Sequence, residues 1–323
     1  MIVLVTGAAG FIGYHVSEAL LARGDTVIGV DNLNDYYDVS LKGARIERLR
    51  AHGGFIFHKV DISDREAMLR LAQDHPDVTH VLHLAAQPGV RYSLVNPYAY
   101  VAANVMGQLV VLEAARAFKR LTNVVYASSS SVYGGNEKVP FAESDAVDTP
   151  QSLYAATKRS DELIAHTYAS LYGMSLVGLR FFTVYGPFGR PDMAPMIFAR
   201  AILADEEIRV FNRGEMWRDF TYIDDIVSGV VASVDKRPVT DPPHRLYNLG
   251  NNRSEKLTDF IAMLERALGK KAKLRLEPMQ PGDVVKTYAD IERARDELGF
   301  EPTTPMSVGI PKFVKWYREF YKV

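Results

Sequence analysis

Short apolar runs rich in β-branched residues recur through the first half of the chain, at Ile2 to Thr6, Thr26 to Val30, Phe55 to Val60, His80 to Ala85, Asn123 to Ser128 and Ser175 to Phe181. Runs of this length and apolarity predict strands buried on both faces. Between them the spacing becomes helical. Ile12, Val16, Ala19 and Leu20 recur at one-turn intervals behind the first run, and a long apolar-rich stretch from about Tyr98 to Phe118 precedes the fifth. Strand and helix in alternation imply a parallel sheet, because parallel neighbours need a crossover and right-handed crossovers place helices on both faces. The expected class is α/β, a doubly wound parallel sheet.

After Gly186 the rhythm is broken by Pro187, Gly189, Pro191 and Pro195, and shorter elements follow. The chain is therefore divided into residues 1–180, the sheet unit, and residues 181–323, a smaller mixed α/β unit. A stretch of about 219–250 returns to the sheet through a helix from Asp225 to Asp235 and a strand from Leu246 to Leu249. Pro238 to His244 reads as a surface loop. About Pro311 to Tyr321 reads as an amphipathic C-terminal helix, with Trp316 in packing.

Composition narrows the chemistry. The 323 residues are 47% hydrophobic and 24% charged, with a net charge of −1, so no basic face points to nucleic acid and no polybasic segment to a membrane. The absence of cysteine excludes disulfides, thiolate nucleophiles and cysteine zinc sites. The eight histidines show no HExxH or paired ligand spacing, and no metal is expected. The opening MIVLVTG is already a strand, no apolar run reaches the roughly 18 residues of a bilayer span, and the expected location is cytoplasmic. The expected partner is a small molecule.

Gly7-Ala8-Ala9-Gly10-Phe11-Ile12-Gly13 stands between the first strand and the first helix, the context a dinucleotide site requires. One glycine permits the tight turn, one lets backbone approach a pyrophosphate, and one lets helix pack on strand, while the helix N-terminus offers N–H groups to phosphate. Asp31 ends the second strand. A carboxylate there accepts hydrogen bonds from a ribose diol and repels a 2′-phosphate, favouring NAD over NADP. This makes the sheet unit a Rossmann-type NAD-binding domain. Tyr36 and Tyr37, between Asp35 and Asp38, fit either a loop near the adenine ribose or the shielding of a turn.

Tyr154 and Lys158 lie one turn apart on one face of a helix predicted from Leu153 to Tyr172. An ammonium beside a phenol, helped by a positive nicotinamide ring, favours the phenolate, which is a general base. By itself such a pair is an ordinary helix surface; the glycine loop and the serines Ser128 to Ser131 at a strand end change its meaning.

Together GAAGFIG, Asp31, the serine run ending in VYG, YAATK at Tyr154 to Lys158 and RDFTYIDD at Arg218 to Asp225 resemble the extended short-chain dehydrogenase/reductase family, in that family's order along nearly the whole chain. The resemblance implies that Ser129 donates to the substrate hydroxyl, Tyr154 is the base and Lys158 holds the nicotinamide ribose. It adds Asp61 and Ile62 at the adenine, and Leu84, Ala85 and Ala86 along the cofactor, to a cofactor set of Gly7, Gly10, Phe11, Ile12, Gly13, Asp31 and Asn32.

Arg180-Phe181-Phe182-Thr183-Val184-Tyr185-Gly186-Pro187-Phe188-Gly189-Arg190-Pro191-Asp192-Met193-Ala194 is similar to the UDP-glucuronate 4-epimerase branch of that family. UDP-glucuronate is then the expected substrate. The resemblance implies that Thr183 and Arg190 lie near the hexose carboxylate, that Met193 in the same segment contacts the substrate, that Arg218 contacts the diphosphate and that Asp283 contacts the uridine ribose. Arginine suits these anions because its planar fork offers paired, charge-assisted donors. Related decarboxylases and dehydratases carry an acid after the catalytic serine; Ser130 and Ser131 stand here, and one or the other is expected to hold the carboxylate by donation, with Thr183 and Arg190. A UDP-glucose/galactose 4-epimerase is opposed by Thr183 and Gln280, where Asn and Arg are usual, a UDP-glucuronate decarboxylase by Ser131, and an NAD-sensing regulator by the intact Ser129, Tyr154 and Lys158. Relatives also imply a homodimer formed through the helices at about Tyr98 to Phe118 and Leu153 to Tyr172.

Overall fold

The computed structural model describes residues 1–280 and 284–323. Strands β1 (Ile2–Thr6), β2 (Thr26–Asp31), β3 (Phe55–Lys59), β4 (His80–His83), β5 (Asn123–Ser129), β6 (Leu176–Phe181) and β7 (His244–Leu249) form one parallel sheet in the order β3-β2-β1-β4-β5-β6-β7. Successive side chains of a strand face opposite sides of a sheet. Val3 and Val5 accordingly join the apolar cluster on one face, and Leu4 the cluster on the other. The order reverses between β1 and β4, and a crevice opens at such a switch point at the carboxyl ends of the strands. Strand β4 stops at His83, short of the predicted Ala85. The chain lifts away over Gly7 there, yet stays tethered, with Leu84 N–H donating to Thr6 O and Ala85 N–H to Thr6 Oγ1.

Helices α1 (Phe11–Ala22), α2 (Val39–Arg50), α3 (Arg65–Asp74), α4 (Pro97–Arg116) and α5 (Leu153–Tyr172) supply the crossovers, with α1 and α2 on one face and α3, α4 and α5 on the other. The α4 stretch predicted as one regular helix contains a π-helical segment, Val101–Met106. Its cause is tertiary: Asn104 is buried, donates to Gln87 O and Thr157 Oγ1, and accepts from Gln87 N–H. Contrary to the sequence expectation, α4 is long and apolar enough to span a bilayer by length and composition; half of that window is buried against the rest of the fold.

Beyond β6 lie helices α6 (Ala194–Ala204), α7 (Ile223–Asp235), α8 (Leu257–Leu268), α9 (Glu292–Leu298) and α10 (Met306–Tyr321), with short paired strands between them. Helix α7 packs on α1 and β5, and β7 pairs with β6, so this part of the chain returns to the sheet. One apolar cluster runs from Val5 through Phe220 and Phe260 to Phe313. Helix α10 begins at Met306, ahead of the predicted Pro311, which lies inside it. Pro311 and Ser307 are both exposed, so water can serve the carbonyl that the missing proline N–H leaves free. Trp316 packs with Phe188, Phe320 and Tyr321.

Candidate active site

A cavity of about 420 Å³ opens at the switch point. Its floor is the glycine loop. Gly7, at φ +74°, donates to Val30 O, and Gly10 N–H donates back to Gly7 O, folding the turn tightly onto α1. A Cβ on Gly7 would lie 2.7 Å from Ala85 N, and one on Gly13 would lie 2.0 Å from Gly7 O. Only glycine fits either place. Gly10 caps α1 without a side chain and no acid occupies the first turn, so the N–H groups of a positive helix end face the cavity.

At one end Asp31, Asn32, Asp61 and Ile62 line the cavity, joined by Asn34 and Lys42, which the sequence reading missed. Asp31 is nearly buried; Oδ1 accepts from Leu33 N–H and Oδ2 from Ala9 N–H. Burial pushes its carboxyl above the usual range against these donors and Lys42, so further donors such as a ribose diol would be welcome. Asn32 donates to Asp61, and Lys42 to both oxygens of Asn34. Glycine cradle, bare helix end and buried acceptor together fit a dinucleotide.

The opposite end holds Ser129, Tyr154 and Lys158. Ser129 ends β5 and caps the turn that follows: its Oγ accepts from Ser131 N–H and donates to Ser131 Oγ. Ser152 caps α5 by accepting from Ala155 N–H, which sets Tyr154 and Lys158 in the first two turns. Lys158 is buried. Its ammonium donates to Ala127 O at 3.0 Å and to Asp161 at 2.9 Å, so β5 and α5 are joined beside the serines. Burial pushes the Asp161 carboxyl up against the pull of Lys158. Tyr100 meets the Tyr154 ring edge-on, with centroids 6.0 Å apart.

A buried network stands behind these groups. Arg180 on β6 gives Nε and Nη2 to the two oxygens of Glu162 on α5, at 2.8 and 2.9 Å, and Nη1 to Tyr133 Oη. Ser128 Oγ also donates to Glu162, and Tyr133 passes the chain on to Asn248 of β7. Neither Glu162 nor the role of Arg180 was foreseen.

Ser130, Ser131, Thr183, Arg190 and Met193 line the same cavity as Ser129, Tyr154, Lys158, Leu84, Ala85 and Ala86. Arg218 is not among the lining residues; its Nη1 donates to the main-chain oxygens of Trp217 and Val285. Asp283 lies outside the described residues. Arg190 is engaged by Asp192 through Nε and Nη2, and Asp192 also accepts from Tyr36, which lines the cavity as well. Neither reading left open for Tyr36, a loop near the adenine ribose or the shielding of a turn, foresaw its bond to Asp192 beside Arg190. Arg45, fully buried on α2, was missed entirely: it donates to Ala9 O in the glycine loop, to Tyr37 Oη and to Phe188 O two residues before Arg190.

Residues 3–250 match the NAD dependent epimerase/dehydratase family. The chain is 51% identical to UDP-glucuronate 4-epimerase 4 of Arabidopsis thaliana, over 99% of this chain and 76% of the relative. Among solved structures it is similar to the UDP-glucuronic acid 4-epimerase of Bacillus cereus in complex with UDP-glucuronic acid and NAD, at TM-score 0.92 and 36% identity over 99% of this chain and all of that one. It is also similar to the UDP-glucose 4-epimerase of Thermotoga maritima with UDP-glucose, at TM-score 0.89 and 31% identity, with the same coverage. With the glycine cradle, the serine-capped strand end and the Tyr154–Lys158 helix on one cavity, the chain belongs to the NAD-dependent epimerase/dehydratase family.

Proposed function

We propose that the chain is an NAD-dependent UDP-glucuronate 4-epimerase that interconverts UDP-glucuronate and UDP-galacturonate. The observation that carries this is a single cavity running from the glycine loop past Ser129, Tyr154 and Lys158 to Arg190. The relatives named for that activity support it. NAD, which the glycine loop, Asp31 and Lys158 would hold, would supply a reversible acceptor for the C4 hydride.

Tyr154 takes the proton of the C4 hydroxyl as base and returns it as acid, while Ser129 donates to the same oxygen. Lys158, held by Ala127 O and Asp161, keeps its remaining N–H for the cofactor ribose. In the 4-keto sugar the C6 carboxylate is β to the carbonyl and can leave as carbon dioxide. Arg190, with Thr183, Ser130 and Ser131, holds that carboxylate so that the C5–C6 bond stays out of line with the carbonyl π system. A half-turn of the sugar about its diphosphate link presents the second face.

Supplying purified protein with UDP-glucuronate and following UDP-galacturonate by product analysis tests the reading. Deuterium entering the product from bulk reduced cofactor would refute a retained hydride. The chain acts as a homodimer in this proposal, supported by the exposed Tyr98, Val101, Leu109, Leu163 and Leu171 on α4 and α5.

A further inference from the structure

The Arg190 guanidinium is not presented bare. Its Nε donates to Asp192 Oδ1 at 3.0 Å and its Nη2 to Oδ2 at 2.5 Å, a side-on pair. Tyr36 Oη donates to the same Oδ2 at 3.1 Å. Burial and the neighbouring Asp192 push the Tyr36 phenol up to about 12, which keeps it a donor at neutral pH. The Tyr36 ring is braced by Tyr92, with centroids 4.8 Å apart, and by Tyr37 at 6.2 Å. Gly89, at φ +98°, leaves room for the assembly: a Cβ there would lie 3.0 Å from Tyr36 Oη and 3.9 Å from Arg190 Nη2. Tyr154 stands within electrostatic reach of the same guanidinium.

A side-on pair consumes the Nε hydrogen and one Nη2 hydrogen. The other edge of the fork, Nη1 with the second Nη2 hydrogen, makes no hydrogen bond among the described residues. That edge is what a planar carboxylate matches by two parallel bonds. Asp192 has two physical effects. It fixes the plane of the fork, and it places a negative charge beside the arriving anion, which weakens ground-state binding.

We propose that Asp192, held by Tyr36, is a positioning residue that presents the free edge of Arg190 to the C6 carboxylate of the substrate, giving up affinity for orientation. The inference rests on the assignment of Arg190 to that carboxylate. It separates binding from turnover. Removing the charge strengthens binding and loosens the sugar.

Steady-state kinetics on wild type, D192N, Y36F and R190A test it, with UDP-glucose as a competing ligand and carbon dioxide release followed in parallel. In D192N the KM for UDP-glucuronate is expected to fall about fivefold, the relief of like charges a few ångströms apart that are screened about as strongly as in bulk water. Its kcat is expected to fall about tenfold, with more carbon dioxide per turnover. Y36F keeps the charge and loses one restraint, so kcat falls while KM holds. The inhibition constant of UDP-glucose, which lacks the carboxylate, stays within about twofold of wild type in both variants. An unchanged or raised KM in D192N, or UDP-glucose affinity moving in parallel with UDP-glucuronate, overturns the proposal in favour of a purely structural Asp192. Wild-type inactivity on UDP-glucuronate, or R190A retaining wild-type kinetics on it, overturns the underlying assignment and the proposal with it.

Discussion

Glutamine at position 162 tests the support of the helix that carries Tyr154 and Lys158. Glu162 and Arg180 are each about 1% exposed, and Glu162 accepts from two nitrogens of Arg180, from Ser128 Oγ at 2.6 Å and from Arg159 at 3.1 Å. The substitution keeps the shape but replaces an acceptor with an amide NH₂ that faces donors, and it leaves the Arg180 charge buried without a counter-ion. Breaking such a pair costs about 3–5 kcal/mol. For a chain of 323 residues, an unfolding entropy of about 2.1 cal/mol/K per residue turns 4 kcal/mol into a fall of about 6 °C in Tm. Urea and thermal unfolding followed by circular dichroism measure it. The paired change Glu162→Met with Arg180→Met removes both charges and should recover at least half of the loss, because hydrophobic replacement of a whole buried pair is close to neutral. A loss under about 1 kcal/mol for E162Q, or a double variant as unstable as the single, would refute the reasoning. Although burial raises it, the Arg180 contacts hold the Glu162 carboxyl below its usual 4.5, so this stabilisation is present above that pH and is lost as pH falls through the folded value.

Two further outcomes concern the glycine loop and a buried histidine. Gly13→Ala puts a Cβ within 2.0 Å of Gly7 O, a main-chain atom that cannot rotate aside, so purified protein should carry no NAD by absorbance and be less stable by roughly 1–3 kcal/mol. His83 is buried against Thr6, and burial, then Lys158, lowers its pKa from 6.5 to about 3. The unfolded chain therefore takes up a proton between these values that the folded chain refuses, and stability falls by about 3 kcal/mol from pH 7 to pH 4 through this group. His83→Gln should flatten the pH–stability curve by that amount; parallel curves would count against it.

The strands of the sheet and the dinucleotide loop were legible because their causes are local: apolar runs of strand length, and glycines at a strand-to-helix turn. Helical spacing put Tyr154 and Lys158 on one face, and the glycine loop and serine run elsewhere in the chain gave that pair its meaning. What escaped the sequence depends on partners far along the chain. Arg45 sits in a polar helical stretch, LKGARIERLR, that gives no sign of burial, and apart from Tyr37 Oη its partners are main-chain oxygens that any residue supplies. The π-helical segment in α4 answers to Gln87 and Thr157 rather than to its own residues. Asp192 lay inside a quoted motif, but spacing could not say that its carboxylate faces Arg190.

Arg45 also bears on how such a site can change over evolution or by engineering. Its Nη1 holds Ala9 O on the nucleotide side, and its Nη2 holds Phe188 O at 2.6 Å on the sugar side. Because this clasp reads only main-chain atoms in both loops, side chains from position 190 onward can be exchanged to suit another sugar without undoing it. Specificity can drift while the joint between the halves persists. A chimera that joins the first unit of one relative to the loop of another needs the arginine on α2 and a side chain at 188 that packs with Trp316 and Phe320.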